Sequence, residues 1–308
     1  MRRLDAAFRF GRDTERKVVT RCGTLAKEKA ASSRRTPNHK NMPDKIFVDG
    51  FLSGHVAFVT GGGTGITGGV ARALAEAGAN VALVSRKLEH LEPAAQAIND
   101  ARAANPNIGE AFPVQADVRN YEQIEEALLA VNGRFGKVDI VVNGAAGNFL
   151  CKAEELSPNG FGTVVDIDLK GTFNVCRAAF AQLKEHQGQI LNISATLHYL
   201  GTPMQLHVSA AKAGVDALTR NLAVEWGRYG IRVNGIAPGP IEDTEGMKRL
   251  LPELLKDKLR KNIPLGRFGR INDIEKAALF LCSDAASFIN GEVLVVDGGQ
   301  WLAANKML

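Results

Sequence analysis

From His55 onward, short apolar runs alternate with longer segments in which apolar residues recur every three or four positions. Short apolar runs bounded by polar or glycine residues are typical of buried strands, and the longer spacing is typical of amphipathic helices. The pattern predicts strands at Val56–Val59, Val81–Val84, Ala111–Gln115, Val138–Val142, Ile190–Ile193, Ile231–Ile236 and Val293–Val296. Helices are predicted at Val70–Glu76, from the end of the second strand to about Ala104, and at Ile124–Phe135, Phe161–His186, Val208–Trp226, Glu245–Lys261 and Ile271–Cys282.

Strands that alternate with helices of this length imply crossover connections and a parallel sheet covered on both faces. Residues 46–308 are therefore expected to form one α/β domain with a doubly wound parallel sheet. No apolar run approaches the roughly 18–20 residues that a membrane span needs. The four cysteines, Cys22, Cys151, Cys176 and Cys282, have no zinc-ligand or paired spacing. Reduced intracellular thiols and no bound metal are the expectation.

The positive charge of the chain is concentrated at its beginning. Residues 1–40 contain twelve Lys or Arg and four Asp or Glu, so the rest is slightly acidic although the formal net charge is +5. A basic nucleic-acid-binding domain is not supported. Residues 1–45 are expected to be a disordered basic tail, an arginine-rich mitochondrial-type targeting segment, or the product of a start upstream of a true initiator at Met42.

Lys212 lies among alanines in the predicted Val208–Trp226 helix, with no salt-bridge partner evident around it. Such a lysine either extends to solvent or is held in a cleft for chemistry. The neighbouring motifs decide between these alternatives.

A glycine-rich turn, Thr60-Gly61-Gly62-Gly63-Thr64-Gly65-Ile66, joins the first strand to the first helix. Glycines there let backbone N–H groups approach a diphosphate, and the helix N-terminus favours its negative charge. Strand 2 then ends in Ser85-Arg86-Lys87 instead of an acid. Two cations and a hydroxyl suit a ribose 2′-phosphate, so NADPH is preferred over NADH. The alternative interpretation is a solvated, charged helix start.

These motifs resemble the short-chain dehydrogenase/reductase family, together with Asp117-Val118, Asn143-Gly144-Ala145-Ala146-Gly147, Asn192-Ile193-Ser194, Lys212 and Asn234–Gly239 in the same order. The resemblance covers about residues 50–303 and implies a Rossmann-like domain. It implies that the cofactor meets Gly61, Gly63, Thr64, Gly65, Ile66, Ser85, Arg86, Lys87, Asp117, Val118, Asn143, Ala145, Lys212, Pro238, Gly239 and Ile241. Asp117 would meet the adenine, and Lys212 the nicotinamide ribose.

The sequence departs from the family pattern at several positions. Thr67 stands where the third motif glycine is usual, and Gly144 where a second asparagine is common. Val208 replaces the tyrosine four residues before Lys212, and Ala195 replaces the usual serine. A carbonyl reductase needs an acidic hydroxyl to protonate the developing alkoxide, and valine cannot supply one.

Asp168 stands where the family usually has asparagine, within reach of the active-site lysine. An Asp–Lys pair can hold a water that donates a proton, and the alternative is a carboxylate paired with Lys212 for stability alone. With these departures, the signatures resemble the 2,4-dienoyl-CoA reductase branch of the family. That resemblance implies NADPH-dependent reduction of a 2,4-dienoyl-CoA to a 3-enoyl-CoA in unsaturated fatty-acid β-oxidation, with Asp168 and Lys212 as the catalytic pair.

The same resemblance implies that the acyl-CoA contacts Arg86, Arg119, Phe149, Ser157, Pro158, Asn159 and Arg249. Tyr199 is a weaker candidate for a replacement acid. His198 and His207 flank the site in sequence and are expected to be loop or surface residues.

Two other functions stay open from the sequence: a carbonyl reductase acting on 3-oxoacyl thioesters, and a silent NADP-binding protein. The Val293–Val296 strand and the Asp297–Gly299 turn resemble the segment through which family members form tetramers, so a homotetramer is expected. A peroxisomal location is favoured by function, although the final Lys306-Met307-Leu308 differs from the usual peroxisomal tripeptide, and mitochondrion or cytosol are the alternatives.

Overall fold

The computed structural model describes residues 47–242, 244, 246–247 and 253–303. The predicted tail at residues 1–45 and the final tripeptide lie outside these residues. Among those described, no helix is both long enough and apolar enough to span a membrane.

Seven parallel strands form a single sheet in the order β3-β2-β1-β4-β5-β6-β7. They are β1 Val56–Thr60, β2 Asn80–Ser85, β3 Ala111–Gln115, β4 Ile140–Asn143, β5 Gln189–Ile193, β6 Arg232–Pro238 and β7 Val293–Val296. All seven predicted strands are confirmed, with boundary shifts of up to two residues. The doubly wound α/β prediction is confirmed as well.

Ten helices accompany the sheet in the described part of the chain. They are α1 Gly65–Glu76, α2 Leu88–Ala104, α3 Tyr121–Phe135, α4 Pro158–Val165, α5 Gly171–His186, α6 Leu197–Leu200, α7 Leu206–Trp226, α8 Glu253–Asn262, α9 Ile271–Cys282 and α10 Gln300–Ala303. The first part of the predicted Glu245–Lys261 helix lies largely outside the described residues.

The predicted single helix Phe161–His186 is wrong in one respect. A π-helical turn at Asp166–Lys170 separates α4 from α5. Its apolar spacing fits a continuous helix, so the pattern alone gives no sign of the wider turn. Such turns are rare and frequently occur at functional sites.

Alternate side chains of each central strand enter two separate cores because side chains point to opposite faces along a strand. In β1, Ala57 and Val59 pack with helices α1, α2 and α9, whereas Val56 and Phe58 pack with α3, α5 and α7. The strand order reverses between β1 and β4, at the carboxyl end of the sheet. Ligands of open α/β sheets bind in the crevice at such a switch point.

Two of the departures from the family pattern compensate for each other at this crevice. A Cβ atom added to Gly144, just after β4, would lie 1.9 Å from Cγ2 of Thr67 on α1. The Thr67 side chain therefore fills the space that a larger residue at 144 would need. Its hydroxyl also donates to the Gly61 carbonyl at 2.9 Å, which ties α1 to the glycine-rich turn.

We predict that Gly144→Ala destabilises the protein by about 1–3 kcal/mol because its Cβ overpacks against Thr67. In a Thr67→Gly background the same substitution should cost much less, since the blocking methyl is gone. Urea denaturation of the four forms of a double-mutant cycle measures this coupling. Gly133→Ala is the matched control, because that exposed position in α3 has no atom within 4 Å of a new Cβ. Equal costs of Gly144→Ala in both backgrounds would contradict the pairing.

Candidate active site

Three consecutive residues at the end of β5 bind three buried polar side chains of α7. The pairs are Asn192 with Thr219, Ile193 with Lys212, and Ser194 with Asp216. Spacings of four and three residues place Lys212, Asp216 and Thr219 on one face of the helix. The Lys212 ammonium donates to the Ile193 carbonyl at 2.8 Å and is only 6% exposed. Lys212 is therefore held at the cleft and does not extend to solvent.

The π-helical turn brings Asp168 to this lysine. Asp168 is completely buried, and its Oδ1 accepts a hydrogen bond from the Gly147 backbone N–H at 2.7 Å. Its Oδ2 lies 3.4 Å from Lys212 Nζ and has no hydrogen-bond partner in the described structure. A buried carboxylate oxygen without a donor is costly. One water that binds Asp168 Oδ2 and Lys212 Nζ from the side would give this oxygen a donor.

The site contains no hydroxyl where the family pattern places the tyrosine. Val208 is 4% exposed and packs with Val164 and Ala211 in a small apolar cluster. Ala195, at the serine position, lines the cavity, while the adjacent Ser194 hydroxyl donates to Asp216. No proton donor for an alkoxide is present at either position.

Tyr199 does not replace the missing acid. Its hydroxyl donates to Asp216 Oδ2 at 3.0 Å. Burial, together with the negative charge of Asp216, raises the pKa of Tyr199 well above its ordinary value, which makes it a weaker acid.

The expectation that the flanking histidines are surface residues is wrong. His207 is fully buried, and its ring packs 4.3 Å from the Phe149 ring. His198 has a 12% exposed side chain and binds Asp216 through Nε2 at 2.7 Å. His198 lies on the short helix α6 and His207 in the first turn of α7.

A cavity of about 460 Å³ opens beside this cluster. Its lining includes Ile193, which accepts from Lys212, and Asn148, which follows the Asp168 partner Gly147; this part, with Ala195, is called the inner end. Apolar residues make up much of the rest of the lining: Ile66, Leu197, Leu200, Ile241, Met247 and Leu259. Pro238 and Gly239, which the resemblance assigned to the cofactor, also line it. The cavity can therefore hold an apolar group against a polar inner end.

The glycine-rich turn fits a diphosphate. Gly61 has φ +70°, and a Cβ there would lie 2.8 Å from the Gly144 carbonyl oxygen. Gly63 is equally restricted by the His90 carbonyl, whereas the space beside Gly65 is open. Thr64 is the N-cap of α1, and no side chain caps the helix. The positive end of α1 is thus left for an anion.

Two cations, Arg86 and Lys87, follow strand β2, and they differ in their partners. The Arg86 guanidinium makes no hydrogen bond or salt bridge with any described residue, whereas Lys87 Nζ binds Glu89 at 3.0 Å. Ser85 Oγ accepts from the Lys87 backbone N–H. Arg86 is the cation best placed for a ribose phosphate at the end of β2.

Asp117 and Arg119 form a bidentate pair, with Nε and Nη2 of the arginine 3.0 and 2.5 Å from the carboxylate. The hydrogen bond from Arg119 lowers the pKa of Asp117 below its ordinary value. Val118 is buried and its carbonyl accepts from Asn174. The resemblance assigned Arg119 to the acyl-CoA. The structure pairs it with Asp117, which the resemblance assigned to the adenine.

The Asn143 side chain points into the core, where it donates to Asn192 Oδ1 at 2.9 Å. Its contribution to a cofactor site is therefore limited to the backbone. The following Ala145 N–H is bound to the Thr60 hydroxyl at 3.3 Å, which fixes this loop against the glycine-rich turn.

The other residues that the resemblance assigned to the acyl-CoA do not come together in the cavity. Ser157 is the N-cap of α4 and accepts from the Gly160 N–H, and Pro158 and Asn159 begin that helix. None of the three is among the described residues that line the cavity. Phe149 is partly exposed beside His207, and Arg249 lies outside the described residues.

Asp216 is a site residue that the sequence argument missed. It is 2% exposed and accepts hydrogen bonds from Ser194, His198 and Tyr199. The signal was present in the four-residue spacing from Lys212, which places both charges on the same face of one helix.

Comparison with known proteins agrees with this geometry. A family model described as enoyl-(acyl carrier protein) reductase matches residues 61–300. A peroxisomal 2,4-dienoyl-CoA reductase, (3E)-enoyl-CoA-producing, from Arabidopsis thaliana is 47% identical over 86% of this chain and 90% of its own length. A protein of the same description from Saccharomyces cerevisiae is 49% identical over 81% and 85%.

Among solved structures, a gluconate 5-dehydrogenase from Burkholderia cenocepacia in complex with NADP and tartrate superimposes with a TM-score of 0.75. It is 33% identical and the match covers 82% of this chain and 97% of that one. The sheet order, the glycine-rich turn before α1, the buried lysine of α7 and these matches lead to one assignment: the chain belongs to the short-chain dehydrogenase/reductase family.

Proposed function

We propose that this chain is an NADPH-dependent 2,4-dienoyl-CoA reductase that produces a 3-enoyl-CoA in the β-oxidation of unsaturated fatty acids. The observation that carries the proposal is the buried Asp168–Lys212 pair, which retains a free acceptor oxygen at a cleft where valine replaces the tyrosine. The Arabidopsis thaliana and Saccharomyces cerevisiae relatives, both described as 2,4-dienoyl-CoA reductases, support the same substrate class.

The chemistry explains why this site needs no tyrosine. Converting a 2,4-dienoyl thioester into a 3-enoyl thioester adds a hydride at C5 and a proton at C2. Bound NADPH supplies the hydride. The electron pair moves through the conjugated system to the thioester oxygen, which gives an enolate and not an alkoxide. The proton is then needed at carbon, so a water can deliver it.

We assign that water to Asp168 Oδ2 and Lys212 Nζ. The carboxylate oxygen would accept one hydrogen bond from the water and orient its other proton towards C2. The Lys212 ammonium would stabilise the hydroxide that the water becomes. The Gly147 N–H and the Ile193 carbonyl fix the two side chains, so their geometry is set before substrate binds.

The residues proposed to hold the cofactor fall into four groups along the carboxyl edge of the sheet. Gly61, Gly63, Thr64, Gly65 and Ile66 would hold the diphosphate; Ser85, Arg86 and Lys87 the 2′-phosphate; Asp117, Val118 and the Asn143–Ala145 backbone the adenosine side; and Lys212, Pro238, Gly239 and Ile241 the nicotinamide end. Arg86 and Arg119, both exposed, would also meet the phosphates of the CoA.

A homotetramer and a peroxisomal location complete the proposal. Leu129 on α3 and Phe173 on α5 are exposed apolar side chains, 69% and 46% accessible, and an oligomer would cover them. The relatives named above are described as peroxisomal, which supports that compartment.

We expect purified protein to oxidise NADPH with 2,4-hexadienoyl-CoA and to leave a 3-oxoacyl-CoA unreduced. The reason is that the site offers a water for carbon protonation but no acidic hydroxyl for an alkoxide. Absorbance at the NADPH band with each substrate measures both rates. Turnover of the ketone without the diene would contradict the proposal, and tight NADPH binding without either turnover would indicate a silent cofactor-binding protein.

Asp168→Asn should lower kcat for the dienoyl-CoA by about a hundredfold or more, the usual range for loss of a proton-transfer group. The amide keeps an acceptor for the Gly147 N–H, so the dissociation constant for NADPH should stay unchanged. Asp168→Ala should lose most of the rate as well.

The matched control is Asp166→Asn, which removes an exposed carboxylate from the same π-helical turn. It should retain wild-type kinetics. Wild-type turnover in Asp168→Asn would show that the proposed proton route is wrong.

Arg86→Ala should weaken NADPH binding by about tenfold or more, as expected for one charge-assisted hydrogen bond, and leave NADH binding unchanged. Lys87→Ala should have a smaller effect because Lys87 is paired with Glu89. Fluorescence titration with both nucleotides compares the dissociation constants. An equal weakening of NADH binding would show that Arg86 does not contact the 2′-phosphate.

A further inference from the structure

Asp216 is a buried carboxylate that the proposed proton route does not use. It accepts three hydrogen bonds from residues of one segment: Ser194, His198 and Tyr199. Burial opposes its ionisation, but the hydrogen bonds from His198 and Ser194 outweigh burial and lower its pKa below the ordinary value. It is therefore a charged anchor in the middle of α7 for the residues that begin the β5–α7 connection.

That connection forms one wall of the cavity. Leu197 and Leu200, on the short helix α6, line it together with Thr196 and Thr202. Helix α6 is only four residues long, and none of its residues is buried. Leu197 packs against the Val164, Val208 and Ala211 cluster, and the two bonds from His198 and Tyr199 to Asp216 add a polar tie between α6 and the long helix α7.

The same anchor extends to the last described helix. The Tyr199 ring packs on the Trp301 ring with centroids 5.6 Å apart. Gln300, the residue before Trp301, also lines the cavity. Two separate parts of the wall, α6 and α10, are therefore linked to Asp216 through Tyr199.

We propose that Asp216 is a positioning residue that sets acyl-chain selectivity by holding the α6 wall of the cavity through His198 and Tyr199. This inference rests on the proposed function, because it assigns the α6 wall to the acyl tail. In this assignment the reacting carbons lie beside Lys212 and Asp168, and the acyl tail extends along the α6 wall. A displaced α6 wall should therefore affect long tails much more than short ones.

The test compares Asp216→Ala with Asp216→Asn. Alanine removes the anchor, whereas asparagine preserves it, since its oxygen can accept from His198 and Tyr199 and its nitrogen can donate to the Ser194 hydroxyl. Tyr199→Phe is a second, milder variant that deletes one hydrogen bond, keeps the ring on Trp301, and leaves α7 unchanged. Glu225→Ala, an exposed carboxylate of α7, is the control.

Each protein is assayed with 2,4-hexadienoyl-CoA and 2,4-decadienoyl-CoA at saturating NADPH. We expect the ratio of kcat/KM for the ten-carbon over the six-carbon substrate to fall about tenfold in Asp216→Ala, through KM, as for loss of a charge-assisted hydrogen bond. Tyr199→Phe should lower the ratio less, and Asp216→Asn and Glu225→Ala should keep it near the wild-type ratio. The kcat for the six-carbon substrate should stay within about threefold in Tyr199→Phe and Glu225→Ala.

Amide hydrogen exchange of residues 197–202 is the second readout, and it needs no turnover. Exchange should accelerate in Asp216→Ala and stay slow in Asp216→Asn. Equal losses for both substrates, or unchanged exchange with an unchanged ratio, would overturn the inference.

Failure of the proposed function has a different signature, because wild-type protein would then reduce neither diene. In that case the dissociation constants of decanoyl-CoA and hexanoyl-CoA replace the kinetic ratio. Asp216→Ala should weaken only the longer ligand, and an equal effect on both would overturn the selectivity role.

Discussion

The site depends on the hydrogen bonds between the end of β5 and one face of α7. Asn192, Ile193 and Ser194 are consecutive, and their partners recur with the helical period, so strand and helix can bind in only one register. A rotation of α7 by one residue would bury the Lys212 ammonium without its carbonyl and Asp216 without its donors. Unpaired buried charges are among the costliest defects in a fold. The same contacts therefore fix the reactive geometry and stabilise this junction.

The fixed register of β5 and α7 also explains how the site is built with Val208 in place of the family's tyrosine. Val208 lies on α7 four residues before Lys212, and its contacts with Val164 and Ala211 keep the helix seated where a hydroxyl would otherwise point into the cleft. Asp168 enters from the opposite side because the π-helical turn widens the helix at that residue. In the proposed mechanism, proton supply therefore passes from a side chain of α7 to a water held by a carboxylate of the π-helical turn, while the lysine keeps its place.

The sheet and the glycine-rich turn could be predicted from the sequence because both depend on local patterns. Apolar runs mark strands such as Ala111–Gln115, and glycine spacing marks a turn that needs positive φ at Gly61. Three features could not be predicted from the sequence because they depend on contacts between distant residues. The π-helical turn does not disturb the apolar spacing, the fit of Thr67 against Gly144 joins residues far apart in the chain, and the buried His207 packs against the distant Phe149.

Several buried polar atoms around the cleft have no partner in the described structure: Asp168 Oδ2, Asn148 Oδ1 and both ring nitrogens of His207. Asn148 and its neighbours Gly147 and Phe149 contact Gln205, Asp168 and His207 in turn, so this short loop connects all of them. In a stable core such atoms would be a defect, since each lacks the hydrogen bond it would make in water. Their position around one loop at the cleft suits a binding site, because water or a ligand with donors and acceptors gains the most where the protein has left bonds unmade. The polarity of the inner end and the apolar α6 wall therefore select for a molecule with a polar reactive head and an apolar tail.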